Sequence, residues 1–491
     1  MKINLKSILL WVGLSLIMSV PCALAHTDVT AEQARELIDS TDDLIVIDVR
    51  EPSEYSDTGG HIPGALNYPL YSGVLLTRYE ELPMDGPVLV VCGSGSRSHQ
   101  AAKFLDSKDF SMVYDMQAGM SAWIWETETC VDPNSKYAGG TGEPNDPYQI
   151  ATAEDLMLLG ESPEDYDKHF ILTADIDLDP NLPGRKVFDK AVIAPDTDPN
   201  DTLGDFQGTH FTGIFDGSGH RISHLRIMGA DYLGLFGQLA PTASIKNLGA
   251  VDVNIVGSGH YVGGLVGFQY CGTVTRCYST GIVIGQWAVG GLVGTNCEAD
   301  VTDCYSTAAV SGKLMVGGLV GYTEGSAYVS PSVTRCYSTG MVSGGNDVGG
   351  LVGSGDIGGN AIACFWDTQT SGRAASEGGP GTGKTTAEMQ TASTFLEAGW
   401  DFVGETENGT QDIWSICEGT NYPRLVWQIP AGDFVCPDGI TIDDFLFFME
   451  HWLDDNCDSS NGYCQGTDLD QSGTVDVNDL EIFFENWSAE Q

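Results

Sequence analysis

Cys92 has the sequence setting of a catalytic nucleophile. It follows a run of β-branched and aliphatic residues and opens a Gly/Ser-rich loop that contains Gly93, Gly95 and Arg97. The backbone N–H groups of such a loop, the positive end of a following helix and an arginine all stabilise a thiolate. The alternative is a structural cysteine at the end of a buried strand, which would not require two glycines and an arginine so close. Cys92 and Arg97 are therefore the candidate catalytic residues.

The segments around Cys92 are those of an α/β domain. Residues 88–91 predict a buried strand, and the apolar residues between Ala101 and Leu105 have helical spacing. A second strand is predicted at 45–50, where it ends in the charged side chains of Asp48 and Arg50. The loop between strand and helix would then place Cys92 at the helix N-terminus.

Four motifs, in this order, resemble the rhodanese family. They are Asp48-Val-Arg50, the loop His61-Ile-Pro-Gly-Ala65, the loop from Cys92 to Arg97, and the closing segment from Ala118 to Trp123. The resemblance covers residues 28–128 and implies a parallel α/β domain that transfers sulfur. In that chemistry Cys92 accepts a sulfane sulfur as a persulfide and passes it to a nucleophilic acceptor, with no cofactor required.

The resemblance also implies roles for the neighbours of Cys92. Arg97 would bind a small anionic sulfur donor, while Asp48 and Arg50 would support the loop by ion pairing. The persulfide would be held by the backbone amides of Gly93, Ser94, Gly95, Ser96 and Ser98. Four residues separate Cys92 from Arg97, as in sulfurtransferases, whereas related phosphatases have five. Two departures are a longer segment at 55–60 and Ala118 in place of a glycine.

The first 25 residues have the pattern of a bacterial signal peptide. Lys2 and Lys6 precede an apolar stretch, and Ala23-Leu-Ala25 forms a small-residue cleavage pattern before His26. The mature chain is therefore predicted to be secreted, periplasmic or displayed at the cell surface. No later segment predicts a transmembrane helix.

The amino-acid composition of the chain argues against some classes of binding partner. With 22 basic and 68 acidic residues the net charge is −46, which argues against nucleic acid or an anionic membrane. The acidic balance is compatible with calcium binding. Thirteen cysteines are too many to be all catalytic, and an oxidising compartment would pair some of them, although Cys92 must stay reducible to work.

The middle of the chain is a repeat. The sequence Val262-Gly-Gly-Leu-Val-Gly267 returns at 289–294, 316–321 and 348–353, and each copy is followed by a cysteine-aromatic pair. Short strands between glycine turns at this period predict a solenoid, which would span residues 137–428. The repeats resemble the GLUG motif, which implies a right-handed parallel β-helix. Its lateral face could bind polysaccharide or protein, or the solenoid could be a spacer.

Several details of this solenoid follow from its sequence. Residues 153–160 predict a short capping helix, and three tryptophans suggest an aromatic closing cap: Trp400, Trp414 and Trp427. Four cysteines at the repeat spacing would stack in one interior column, as packing or as metal ligands: Cys277, Cys304, Cys336 and Cys364. Cys271 and Cys297, in turns of neighbouring coils, are disulfide candidates.

One nucleotide-binding pattern lies in the same region. Residues 378–385 match the Walker A pattern letter for letter and end on Lys384 and Thr385. A phosphate loop requires a hydrophobic strand before it, whereas a polar segment precedes this one. The match is interpreted as chance.

The C-terminal tail predicts a calcium site. Oxygen-bearing side chains alternate along residues 468–479, and Gly473 lies at the sixth position, where a sharp turn is required. The candidate ligands are Asp468, Asp470, Ser472, Thr474, Asp476 and Asp479. The alternative is a solvated acidic loop without a bound ion.

An offset of 35 residues indicates an internal duplication of this tail, because the segment from Asp444 to Trp452 matches that from Asp479 to Trp487. The two halves, residues 433–488, resemble a small α-helical dockerin module with EF-hand-like loops. That resemblance implies docking onto a cohesin-like protein or a cell-surface partner. The first half lacks the acidic pattern, so its calcium site is doubtful. Cys457 and Cys464 bracket a short loop between the halves and are expected to form a disulfide.

Two functions are consistent with this organisation. The first is an exported sulfurtransferase that uses thiosulfate or a similar donor, displayed on a β-helix that carries a docking module. The alternative is a cell-surface adhesion or interaction protein whose rhodanese-like domain is not catalytic. The presence of both Cys92 and Arg97 favours the first function.

Overall fold

The computed structural model of this chain describes twelve stretches of residues. They are 26–41, 44–55, 59–71, 73–108, 110–127, 136–198, 205–326, 330–355, 360–378, 381–436, 439–457 and 462–489. The predicted signal peptide, residues 1–25, lies outside them. The chain divides into two compact units, Met1–Asp132 and Pro133–Gln491. Within the described stretches, no helix has the length and apolar character needed to span a bilayer.

The first unit is a parallel α/β domain. Its five-stranded sheet has the order β1-β5-β4-β2-β3, and every strand pair is parallel. The strands are β1 Thr27–Val29, β2 Ile45–Asp48, β3 Leu66–Asn67, β4 Pro87–Val91 and β5 Met112–Met116. The helices are α1 Ala31–Ser40, α2 Pro52–Tyr55, α3 Val74–Arg78 and α4 Ser96–Ser107, with 3₁₀ turns at Tyr79–Glu81 and Gly119–Ala122.

The position of Cys92 follows from the central strand. Every residue of β4 is buried, because helices cover both faces of a parallel sheet and its strands become continuous apolar runs. The apolar residues Ala101, Ala102 and Leu105 of α4 pack into the same core. Cys92 therefore lies at the carboxyl end of β4, one short loop before α4 begins.

The second unit contains a parallel β-solenoid. Its first sheet comprises Tyr148–Ile150, His169–Leu172, Ile214–Asp216, Ser244–Lys246, Thr273–Thr275, Asp300–Thr302, Ser332–Thr334 and Asn360–Ile362. Its second comprises Phe236–Leu239, Val266–Tyr270, Val293–Cys297, Val320–Glu324 and Val352–Gly355. Its third comprises His260–Gly263, Trp287–Gly290, Leu314–Gly317 and Asn346–Gly349. Its fourth comprises Ile176–Asp177, Arg221–Ser223, Arg226–Gly229, Gly249–Gly257, Tyr278–Ile284, Tyr305–Ser306, Ala309–Ser311, Tyr337–Ser338, Val342–Ser343, Phe365–Asp367 and Thr382–Lys384.

The repeated hexapeptide explains how the coils stack. Both of its valines and its leucine are buried in one continuous core, as at Val289, Leu292 and Val293. Its first glycine is required by a close approach, since a Cβ atom on Gly290 would lie 1.9 Å from the carbonyl oxygen of Val293. The parallel β-solenoid predicted from the repeat is confirmed, and Ala153–Gly160 forms the predicted short helix.

The cysteines of the solenoid follow the repeat register. Cys277, Cys304, Cys336 and Cys364 are buried and form the predicted column. The backbone N–H of each of the first three donates to the cysteine sulfur of the next coil at 3.3–3.4 Å. The proposed Cys271–Cys297 disulfide is wrong, because both are free thiols. The register pairs Tyr270 with Cys297, so the thiol of Cys271 instead contacts the carboxylate of Glu298 at 3.6 Å.

The tryptophan-rich segment covers the side of the solenoid. Trp400 and Trp414 are fully buried and pack with Tyr305, Tyr337 and Phe365, the aromatic residues that follow the column cysteines. The rings of Tyr305 and Tyr337 are stacked with centroids 4.9 Å apart. The expected closing cap is therefore a lateral cover that spans several coils. This region also contains short helices at Thr386–Met389 and Ala392–Leu396, a 3₁₀ turn at Val426–Gln428 and the antiparallel pair Trp414–Ser415 and Arg424–Leu425.

The Walker-like segment belongs to this architecture. Thr382–Lys384 is a strand that pairs in parallel with Phe365–Asp367. The side chain of Thr385 caps the following short helix by accepting a hydrogen bond from the backbone N–H of Glu388. The segment therefore extends the solenoid sheet.

The C-terminal part of the second unit is helical. Helices Ile442–Glu450 and Val477–Ala489 bury Phe448 and Phe483 between them. Gly462–Gln465 forms a single turn. Far from these helices, near the start of the same unit, Pro163–Asp165 forms a 3₁₀ turn. A disulfide joins Cys457 to Cys464, the pair expected from the sequence. A second disulfide, which the sequence did not single out, joins Cys417 to Cys436.

Candidate active site

The sulfur of Cys92 lies at the base of the loop between β4 and α4. The residue is only 1% exposed, and its Sγ accepts a hydrogen bond from the backbone N–H of Gly95 at 3.1 Å. The thiol can donate to Ser98 Oγ at 3.6 Å, and that hydroxyl donates to the carbonyl oxygen of Gly95. The helix begins at Ser96, so its unpaired first-turn amides and the positive end of its dipole lie beside the sulfur. This arrangement stabilises negative charge on a sulfur at Cys92.

The closing segment fixes the shape of the loop. The backbone N–H of Met120 donates to the carbonyl oxygen of Cys92 at 2.7 Å, and that of Ser121 donates to Gly93 at 2.9 Å. Gly119 allows this approach, because a Cβ atom there would lie 2.2 Å from the carbonyl oxygen of Cys92. Ala118, the second departure noted in the sequence, has a left-handed backbone with φ of 60°. This conformation explains why glycine suits that position.

Arg97 is paired with a carboxylate that the sequence analysis missed. Its two terminal nitrogens donate to the two carboxylate oxygens of Glu54 at 2.5 and 2.6 Å. Burial raises the pKa of Glu54, but the hydrogen bond and charge of Arg97 outweigh it and lower that pKa below the usual 4.5. Burial alone would lower the pKa of Arg97, whereas Glu54 and the adjacent Cys92 raise it overall. The guanidinium is therefore charged and beside the sulfur, and Glu54 occupies its anion-binding face.

Glu54 lies in α2, directly after the Asp48-Val-Arg50 motif and just before the lengthened segment at 55–60. The sequence signal that could have identified Glu54 is its position, four residues after Arg50 of that motif. Its partner could not be identified from the sequence, since 43 positions separate Glu54 from Arg97.

Asp48 and Arg50 lie behind the loop and pair with each other. The guanidinium of Arg50 donates to the carboxylate of Asp48 at 2.8 Å, and both side chains are nearly fully buried. Arg50 also donates to the carbonyl oxygen of Gly60, which precedes the His61 loop. Asp48 is paired in register with Val91, the residue before Cys92. The ion pair therefore supports the carboxyl end of the sheet, where β4 ends and the Cys92 loop begins.

The acidic loop near the C-terminus gathers three of its six predicted ligands. Carboxylate oxygens of Asp468, Asp470 and Asp479 lie within 4.8 Å of one another, and all three residues are buried. Burial and the neighbouring carboxylates raise the pKa of Asp479 to about 6. The fourth predicted carboxylate ligand, Asp476, does not belong to this group, and the predicted hydroxyl ligands Ser472 and Thr474 are exposed.

Different regions of the chain match different families of known proteins. The model of the rhodanese-like domain matches residues 30–125, and the model of the GLUG motif matches residues 258–284 and 285–311. A sulfurtransferase of Allochromatium vinosum is 31% identical over 96 residues, which are 20% of this chain and 86% of that protein. The thiosulfate sulfurtransferase GlpE of Pseudoalteromonas translucida is 33% identical over 100 residues, which are 20% of this chain and 90% of that protein.

Among solved structures, the rhodanese-like domain protein of Staphylococcus aureus aligns with 20% identity and a TM-score of 0.19. That alignment covers 21% of this chain and 99% of the other. The matches to the two sulfurtransferases span about a fifth of this chain.

Proposed function

Because this chain belongs to the rhodanese-like family through residues 30–125, we propose that it is a sulfurtransferase with Cys92 as its sulfur carrier. The observation that carries the proposal is the setting of the Cys92 sulfur, which accepts the Gly95 amide at the N-terminus of α4 beside Arg97. The solenoid would display this domain, and the C-terminal helices would attach it to a partner. The relation to thiosulfate sulfurtransferases supports thiosulfate as the donor.

The proposed reaction has two displacements. The Cys92 thiolate attacks the outer sulfur of thiosulfate, the sulfur–sulfur bond of the donor breaks, and sulfite leaves with the bonding electron pair. The terminal sulfur of the new persulfide carries the negative charge, which the loop amides and Arg97 stabilise. A thiol or cyanide then attacks this terminal sulfur and regenerates the Cys92 thiolate.

Thiosulfate-dependent sulfur transfer by the purified full chain, under reducing conditions, tests this proposal. The wild type is expected to form thiocyanate from cyanide and to carry an added sulfur on Cys92 in mass spectra, while Cys92→Ser does neither. Cys277→Ser, a matched change in the solenoid column, should retain both. No turnover and no persulfide with several donors would exclude the catalytic role and favour an interaction protein.

We also propose that residues 433–488 form a calcium-dependent docking module. The three buried carboxylates of Asp468, Asp470 and Asp479 support this, because carboxylate oxygens suit a hard cation that would relieve their mutual repulsion. In the first half, Asp444 occupies the position that corresponds to Asp479. However, Val435 occupies the position that corresponds to Asp470, so one of the three carboxylates is missing from the first half. The proposal therefore includes one calcium ion and not two.

Calorimetric unfolding of the full chain in calcium, magnesium and chelator tests the calcium site. Calcium should raise the midpoint of one transition, and Asp470→Asn should abolish that rise. Asp443→Asn, which changes an exposed carboxylate of the first half, should leave the rise intact. An equal response in Asp470→Asn and the wild type would contradict the proposed site.

Export through residues 1–25 completes the proposal. Two disulfides in the second unit support an oxidising compartment. N-terminal sequencing of the protein recovered from its native cell would identify His26 as the first residue if the signal peptide is removed there.

A further inference from the structure

A second cluster of ligand-type side chains lies in the first unit. His26, Asp28, His99 and Asp115 each direct one nitrogen or oxygen to a common point, with those atoms all within 4.8 Å of one another. They come from three elements. Asp28 and Asp115 are paired in register on neighbouring strands β1 and β5, so their side chains share one face of the sheet. His99 comes from α4, and His26 immediately precedes β1.

Three of the six distances among the candidate ligand atoms suit a tetrahedral metal site, and the other three are within 4.8 Å. His99 Nδ1 lies 3.2 Å from His26 Nε2 and 3.0 Å from Asp115 Oδ2, and His26 Nε2 lies 3.7 Å from Asp28 Oδ1. Zinc bonds of about 2.0–2.2 Å to nitrogen and oxygen place tetrahedral ligands about 3.4 Å apart. The three measured separations lie around that value.

A neighbouring carboxylate sets the tautomer of His26. Asp106 Oδ2 lies 2.6 Å from Nδ1 of His26, so the proton of a neutral ring belongs on Nδ1. The lone pair of Nε2 then points to His99. A metal-bound histidine commonly donates its second ring N–H to a carboxylate in this way, which orients the ring and raises its basicity.

Hydrogen bonds within the cluster do not satisfy all of its polar atoms. His99 Nδ1 faces two acceptors, His26 Nε2 and Asp115 Oδ2, and it can carry only one proton. Asp115 is 1% exposed, and its second oxygen, Oδ1, has no hydrogen-bond partner among the described residues. An acceptor-only carboxylate that is buried and unsatisfied is costly, whereas a cation at the common point would compensate it.

We propose that His26, Asp28, His99 and Asp115 bind one divalent transition metal ion of zinc type. Four protein ligands fill a tetrahedral shell, which is characteristic of structural rather than catalytic sites. The ion would join the N-terminal strand to β5 and to α4, the helix whose first turn holds Arg97 and Ser98 beside Cys92. The two imidazoles distinguish this site from the all-oxygen aspartate loop, since nitrogen ligands select zinc over calcium.

Metal binding to the purified full chain tests the proposal, with saturating calcium present to occupy the aspartate loop. After chelator treatment, equilibrium dialysis against zinc should load one ion that His99→Ala binds at least about 100-fold more weakly. Cobalt should give visible d–d absorption typical of tetrahedral nitrogen and oxygen ligands, without a thiolate charge-transfer band in the near ultraviolet. That spectrum would separate this site from the free cysteines.

Two further variants serve as a control for the zinc measurement and as a test of a second proposed ligand. His220→Ala removes a histidine that contacts Asp175 at 3.1 Å in the second unit, and it should bind zinc as the wild type does. Asp28→Asn alters a half-exposed ligand and should weaken zinc binding without unfolding the domain. Failure of the wild type to bind zinc, undiminished binding in both His99→Ala and Asp28→Asn, or a thiolate–cobalt spectrum would each overturn the proposal.

Discussion

Cys92 and the cysteine column of the solenoid, Cys277, Cys304, Cys336 and Cys364, are equally buried, yet their sulfur atoms have different surroundings. The thiol of Cys304 donates toward the carbonyl oxygens of Thr302 at 3.1 Å and Val274 at 3.5 Å, and burial raises its pKa well above the ordinary value. Both sulfurs accept a backbone N–H, but that of Cys92 does so beside a charged guanidinium at the N-terminus of a helix. The comparison teaches that the positive charge and helix end beside the sulfur, and not burial, distinguish the proposed sulfur carrier from cysteines that only pack.

The difference predicts a large contrast in alkylation. At neutral pH, Cys92 of the folded chain should react with iodoacetamide at least about 100-fold faster than Cys304, because burial raises the pKa of the Cys304 thiol and the thiolate is the reacting species. Peptide mass spectrometry after timed quenching measures each site separately. In denaturant, the described free cysteines should react at similar rates, which serves as the control. Equal protection of Cys92 and Cys304 in the folded chain would contradict the assignment of different roles.

A smaller effect is expected from the column itself. Cys304→Ala removes a fully buried sulfur and leaves a cavity, so it should lower the free energy of unfolding of the second unit by about 1–2 kcal/mol. Sulfur transfer should be unchanged. Calorimetry and the cyanide assay measure the two quantities on one preparation. Cys92→Ala provides the reverse control, with activity lost and the unfolding of the second unit unaltered. A loss of sulfur transfer in Cys304→Ala would disprove a purely structural column.

Cys92 and the cysteine column also show which features could be predicted from the sequence and which could not. The column was predictable because a fixed period places equivalent residues in register, and the position of Cys92 was predictable because β4, the loop and α4 are contiguous. Contacts that depend on three-dimensional packing were not. Glu54 and Arg97 are 43 positions apart, and the Cys417–Cys436 disulfide connects segments that no repeat relates.

The Cys271–Cys297 error has the same origin. Spacing placed the two residues in neighbouring turns, but an offset of one residue in the register decides that Glu298, and not Cys297, contacts the Cys271 thiol. Burial raises the pKa of both thiols, that of Cys297 to about 12, as it raises the pKa of Cys304 in the column.

The smallest predicted effect concerns the charge beside Cys92. An anionic donor must share Arg97 with the carboxylate of Glu54, which is 37% exposed and therefore screened by solvent. Glu54→Gln should lower the KM for thiosulfate about fivefold, which corresponds to a screened ion-pair contribution of about 1 kcal/mol. Glu81→Gln makes the same charge change in a surface pair with Arg78 and should leave the KM unaltered. Steady-state kinetics with thiosulfate as the varied substrate measures both variants.

The pH dependence of stability sharpens this last prediction. Because the folded-state pKa of Glu54 is lowered below 4.5, its ion pair stabilises the fold above that pH, and the contribution is lost as the pH falls through the lowered value. The wild type should therefore be more stable than Glu54→Gln near neutral pH, and the difference should vanish in acid. Urea unfolding of the first unit at both pH values measures it. A difference that persists in acid would mean that Glu54 acts through packing and not through its charge, and the carboxylate would then not compete with the donor for Arg97.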